Sequence, residues 1–110
     1  RALEIYEAVF GPDDPEVATT LVQMALAYDV AGDQEAAVLA LERSLEIRIR
    51  TEQPVHVLSD SRRMLAKMLR ESDPKRAKQL AAQALEGFRE SPLDNPDFEA
   101  DLEDLLEQLG

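Results

Sequence analysis

His56 is the only histidine in the chain, there is no cysteine, and two short stretches are crowded with carboxylates, so these are the places where chemistry has to be sought. A catalytic dyad or metal cluster built on one imidazole needs a second base or ligand held alongside it. The residues around His56, "TEQPVHVLSD", do not supply that set, and the expected role for this side chain is a solvated position at a loop or helix start. "GPDDPE" at 11–16 and "DNPDFEADLED" at 94–104 have enough acid for calcium. Neither has the alternating oxygen ligands, central glycine and closing glutamate of a helix-loop-helix calcium site. Serines and threonines occur without a base at a telling distance, and no glycine-rich phosphate loop is present. The absence of cysteine removes thiolate nucleophiles, disulfides and cysteine-built zinc sites. These readings point away from an enzyme and from any bound metal or cofactor.

Charge says more than any motif. Twelve Lys and Arg face 23 Asp and Glu, a net charge of −11, and such a surface repels phosphate backbones and anionic lipid, so neither nucleic acid nor membrane is expected as a partner. Apolar runs are only a few residues long, too short for a membrane span or signal-peptide core within this chain, and a cytoplasmic location is the expectation. Within the acidic whole lies a basic island. Residues 58–91 carry eight basic and five acidic side chains, a net of +3, which leaves −14 for the remainder. Arg63, Lys67 and Arg70 fall at i, i+4 and i+7, one face of a helix, with Arg62 beside them. Two readings stay open: a solvated face paired with neighbouring acidic helices, or a site for an acidic ligand.

The elements that would position these side chains are helices. A composition of 45% hydrophobic and 32% charged residues over 110 positions suits one folded domain. Leu21, Met24, Ala25 and Tyr28 recur at helical spacing, as do Ala37, Val38, Leu41 and Leu45, and then Met64, Leu65 and Met68. In "AGDQ", Gly32 can end one helix in the left-handed conformation and Asp33 can cap the next. Asp73 and Pro74 repeat that junction. In "FGPDDPEVATT", Gly11 and Pro12 close a helix, Asp14 caps the next one, Pro15 enters its first turn and Glu16 suits its positive end. The spacing predicts helices near 1–10, 15–31, 34–50, 55–71, 74–90 and 96–109, and no strand.

The chain also repeats itself. "RALEI" at Arg1 to Ile5 returns as "RSLEI" at Arg43 to Ile47, a shift of 42, and Pro12 returns as Pro54 at the same shift. "QALEG" at Gln83 to Gly87 is a third copy, 40 residues after the second. Helix pairs recurring at such a period suggest a solenoid. Leu21, Met24 with Ala25, and Tyr28, followed by Ala37 and Leu41, resemble the tetratricopeptide repeat, although its Trp and Gly are absent. Ser61, Met64 with Leu65, Met68, Ala77, Ala81 and Ala84 keep the spacing in a second copy, with Leu65 bulky where the family prefers a small residue. The period and the "GPDDPEVATTL" connector are similar to the longer variant found in kinesin light chains and bacterial signalling proteins.

The resemblance, covering about residues 1 to 91, implies an all-α fold: a right-handed superhelix of antiparallel helix pairs with a C-terminal capping helix. It implies a truncated repeat plus connector at 1–14, repeats at 15–53 and 54–92, and the cap at 93–110, where Phe98, Leu102, Leu105 and Leu109 make one apolar stripe among acids. Helices cross closely only at small residues, which nominates Ala25, Ala37, Ser44, Ala77 and Ala84. Residues 1–10 read as the second helix of a repeat whose first helix is missing, so the chain is expected to be the C-terminal fragment of a larger regulatory protein, with Ala2, Ile5, Tyr6 and Val9 uncovered. First helices line the concave groove in this family. The resemblance therefore nominates Thr19, Val22, Leu26 and Asp29 together with Arg62, Arg63, Lys67 and Arg70 as partner-binding residues. Val22 and Leu26 stand where carboxylate-gripping members carry polar residues, so an acidic or amphipathic segment of a partner protein is expected rather than a free peptide terminus. The alternative is a structural role, in which the uncovered N-terminal face packs on upstream domains or on a second copy as a homodimer.

Overall fold

The computed structural model of the chain describes residues 2–11 and 14–110, leaving aside the side chains of Ala2, Leu3, Tyr6 and Phe10. The expectations that Pro12 helps to close a helix and that Ala2 and Tyr6 lie on an uncovered face fall outside the described residues. The described residues form six helices and no strand: α1 (Ala2–Phe10), α2 (Pro15–Val30), α3 (Gln34–Arg50), α4 (Val55–Leu69), α5 (Pro74–Glu90) and α6 (Pro96–Leu109).

The junctions follow the chemistry of their residues. Asp14, Asp33 and Asp73 each accept a hydrogen bond from a first-turn amide, Glu16 N at 2.9 Å, Ala36 N at 3.1 Å and Arg76 N at 3.2 Å. Each carboxylate thereby satisfies a donor that has no partner within its own helix and sits at the positive end of the helix dipole. Pro15, Pro74 and Pro96 all stand at helix starts, where a missing N–H costs nothing. Gly32, at φ +85°, ends α2 and lets the Asp33 amide reach back to the Tyr28 carbonyl at 2.8 Å. The turn after α3 uses the same geometry without a glycine. Glu52 takes φ +53°, and Gln53 N bonds Arg48 O at 3.0 Å.

The chain divides into two compact units, Arg1–Gln53 and Pro54–Gly110. In the first, α2 and α3 pack as a pair joined by a short turn, and α1 packs on α2. Val17, Ala18, Leu21 and Ala25 of α2 meet Ala37, Leu41, Ser44 and Ile47 of α3 in the core, all of them buried. Ser44 marks the close approach: its Oγ donates to the Ala18 carbonyl at 2.8 Å, so a hydroxyl replaces the bulk that would hold the helices apart. Glu7 of α1 is tied to Arg43 of α3 by an ion pair.

In the second unit α4 pairs with α5, and α6 packs on α5. The nominated small residues Ala77 and Ala84 are fully buried, as are Ala25, Ala37 and Ser44 in the first unit. Leu65, bulky where Ala25 is small, is fully buried too. A tight approach of α4 and α5 is made instead at Gly87, where an added Cβ would lie 3.2 Å from Ser59 Oγ and 3.3 Å from Val55 Cγ1. In the first unit the equivalent position is Ile47. The two pairs thus share a plan but place their small residues differently.

Ala37 offers a direct check on this packing. Its side chain is fully buried against α2, so Ala37→Leu forces extra methylenes into a filled crossing and is expected to cost about 1–3 kcal/mol. A thermal melt reads this as a lowered midpoint; an unchanged curve would contradict the tight α2 to α3 contact.

Candidate functional site

The basic island spans α4 and α5, and its four nominated residues, on α4 and its C-cap, are split by that helix. Five apolar or small residues of α4, Ser59, Ser61, Leu65, Ala66 and Leu69, are buried and fix which way the helix faces. Arg63 and Lys67, a turn apart, then reach α6, and Arg70 follows at the end of the helix. Arg62 goes elsewhere. It lines a separate shallow cleft with Gln83, Glu86, Gly87 and Glu90 of α5.

Asp101 of α6 is the centre of the site. Its Oδ2 accepts from Arg63 Nη1 at 2.6 Å and lies 2.8 Å from Lys67 Nζ, while Arg63 Nη2 donates to Asp60 Oδ1 at 2.9 Å. The guanidinium also sits 4.8 Å from the centre of the Phe98 ring, which in turn packs against Phe88 of α5 with centroids 4.5 Å apart. Arg89 of α5 adds a second set of contacts to α6, 2.8 Å to Glu103 and 3.6 Å to Glu99. Basic side chains of α4 and α5 are thereby laced to the acidic face of α6, around an apolar seam in which Leu102 and Leu105 are buried.

These contacts perturb the groups that make them. The hydrogen bond from Lys67, then that from Arg63 and the charge of both, hold the Asp101 carboxyl below the usual carboxylate range against the opposing effect of burial. Burial of the Arg63 guanidinium works against its charge, but hydrogen bonds and charge from Asp101 and Asp60 outweigh it, so the group is held protonated more firmly than usual. A carboxyl depressed in the folded state stabilises the fold above its ordinary value and loses that contribution as pH falls through the depressed value. The contribution of Asp101 is therefore expected to stay level from neutral down to about pH 4, the usual aspartate range, and to be lost below it. Acid titration of Asp101→Asn, followed by circular dichroism, should show a weaker acid limb than the unaltered chain; identical limbs would mean that this carboxyl is not coupled to folding.

Not every cation is neutralised. Among the described residues Arg62 and Arg70 make no ion pair. Arg70 and Lys67 line a cleft of about 150 Å³ with Asp101, Asp104, Leu105 and Gln108 of α6. The nominated residues of α2 are in the other unit. Thr19 is exposed and its hydroxyl is turned back to the Pro15 carbonyl at 3.3 Å. Val22 is half-buried, Leu26 is 47% exposed, and Asp29 accepts a hydrogen bond from Gln34 at the start of α3. The structure thus brings Arg63, Lys67 and Arg70 together along the α6 side, sets Arg62 apart from them, and leaves the α2 set as a partly apolar helix surface. Sequence reasoning missed Asp101 and Phe98 as partners of the arginines. The signal was present as a helix with six acids and no base following a basic one, but helical spacing does not say which faces meet.

No group of histidines and carboxylates that could hold a metal ion occurs among the described residues, and no helix among them is long and apolar enough to cross a membrane. Comparison with protein families matches residues 1–50 to the tetratricopeptide repeat. That span holds α1, α2 and α3, with Ala25, Ala37 and Ser44 at its crossings. Residues 1–50 belong to the tetratricopeptide repeat family. A search of curated proteins returns no match. In the second unit, α4 and α5 restate the same helix pair, with a capping aspartate and an N-terminal proline at the start of α5. Tetratricopeptide repeats are protein interaction scaffolds and are in general non-catalytic, a character in keeping with an all-helical chain of adjacent packed pairs.

Proposed function

We propose that this tetratricopeptide repeat chain binds a partner protein through the exposed side of α4, with that of α2 as a second candidate surface, taking an acidic or amphipathic segment, as a non-catalytic part of a larger cytoplasmic regulatory or signalling protein. The observation that carries the reading is Arg70: a cation without an ion pair among the described residues, next to Lys67 in a cleft, on a chain of net charge −11. Thr19, Val22, Leu26 and Asp29 of α2 are the second candidate surface, where Leu26 supplies exposed apolar area to the amphipathic side of such a segment. Arg63 is a weaker candidate than Arg62 or Arg70 because its donors are already committed to Asp60 and Asp101.

Peptides selected by display against the chain test this reading. Enriched sequences should be acidic, should bind more weakly at higher salt, and should lose at least tenfold in affinity with Arg70→Glu. Neutral or basic peptides, or acidic ones indifferent to Arg70→Glu and Arg62→Glu, would overturn it.

A specific observation also favours the alternative, packing through α1 on upstream domains or on a second copy. Ile5 is 61% and Val9 67% exposed, whereas Ile47, which stands where Ile5 stands in the repeated segment, is fully buried. Light scattering over a concentration series separates the two: a dimer lost with Ile5→Asp supports the alternative, and a monomer at all concentrations rejects the homodimer.

A further inference from the structure

The surface under α6 has more binding capacity than α6 uses. A single carboxylate of α6, Asp101, serves both Arg63 and Lys67, with Asp60 of α4 itself also on Arg63, and Arg70 beyond them has no acid of its own among the described residues. The Nε of Arg63 is buried and lacks a hydrogen-bond partner among the described residues. Arg89, by contrast, meets two acids of α6, Glu103 and at longer range Glu99. Such a surface is matched in kind by α6, an amphipathic helix with six acids and no base, but those acids are not placed to give Lys67 and Arg70 a carboxylate each.

The attachment of α6 is also of an exchangeable sort. α4 and α5 close on each other as a pair, while α6 is the outer element, joined through the five-residue link 91–95, and the basic side chains that bind it remain between a quarter and a half exposed. Its six like charges repel one another when they are not opposed by cations. Phe98, Leu102 and Leu105 supply the apolar hold, and the ion pairs set orientation and register.

We propose that the α4 and α5 face beneath α6 is an acceptor for an acidic amphipathic helix, and that α6 occupies it as an internal ligand which a partner helix with better-placed acids displaces. This rests on the reading of the chain as a binder of acidic segments, and deepens it by naming the shape of the segment and its competitor. The favoured pattern is that of α6 itself, an aromatic followed by leucines one and two turns later, with an acid before the first leucine for Arg63 and Lys67 and a further acid toward Arg70.

The test uses the full chain and a labelled synthetic peptide of residues 93–110. Asp101→Asn with Glu103→Gln weakens the internal ion pairs while leaving Leu102 and Leu105 in place. Hydrogen exchange should then show α6 amides losing protection, and fluorescence anisotropy should show the peptide binding at least tenfold more tightly than to the unaltered chain. Adding Arg63→Met to that variant should abolish the gain. If the double variant loses helix content by circular dichroism, Glu103→Gln alone carries the same expectation at smaller size. Unchanged α6 protection in a folded variant overturns the proposal, because the ion pairs then do not hold the helix. A loosened α6 without peptide binding overturns it equally. Display-selected acidic peptides that bind the unaltered and loosened chains alike would leave the broader binding reading standing and reject this one.

Discussion

Leu102→Ala is expected to lower the unfolding free energy by about 2–5 kcal/mol, the range for truncating a fully buried leucine to alanine. Leu102 is 0% exposed on a helix whose other buried residue is Leu105. α6 has no second apolar face with which to compensate, and its remaining surface is dominated by carboxylates. The loss should therefore be local. In hydrogen exchange, α6 should lose protection first, while α2 and α3, which belong to the other unit, keep theirs. Chemical denaturation gives the magnitude. A change below about 0.5 kcal/mol, the scale of an exposed substitution, would mean that α6 is not seated on this leucine.

Arg63→Ala is expected to cost about 1.5–3 kcal/mol, the scale of hydrogen bonds made to charged groups. An ordinary surface ion pair contributes far less, because water screens it and two long side chains must be ordered to form it. Arg63 differs in three respects: its side chain is only 25% exposed, it donates to Asp101 and Asp60 at once, and it lies over the Phe98 ring. The substitution also removes one of the two cations facing Asp101, so the depression of that carboxyl should shrink and the acid limb of stability should move toward the ordinary aspartate range. A double-mutant cycle with Asp101→Ala isolates the pair. A coupling energy near zero, with Arg63→Ala still destabilising, would assign the effect to packing on Phe98 instead.

Both predictions concern α6, and it is there that sequence and structure contribute differently. The helices themselves were legible because each carries its own signals. Asp14, Asp33 and Asp73 act on amides two or three residues away, Gly32 needs only its own backbone, and Pro15 and Pro74 act within their own first turn. The close crossings were legible for a related reason. Only small side chains let helix axes approach, so Ala25, Ala37, Ser44, Ala77 and Ala84 could be named from type and spacing alone. Glu52 shows the limit of such signals. It takes the left-handed conformation after α3 that Gly32 takes after α2, and nothing in the local residue types marks it.

The sequence by itself determined the helices, most of their junctions and the recurrence of helix pairs, because caps, turns and apolar periodicity act over a few residues, and the family match covers residues 1–50. It also determined that a basic island interrupts an acidic chain. Only the tertiary structure decided what the island meets: Arg63 and Lys67 on Asp101, Arg89 on Glu103, Arg62 turned to α5, and Arg70 without an ion pair among the described residues. Arg63 and Asp101 are 38 residues apart in the chain. Their contact depends on how α4, α5 and α6 are oriented by buried side chains such as Leu65, Phe88 and Leu102, and that orientation is a property of the packed unit rather than of any segment within it.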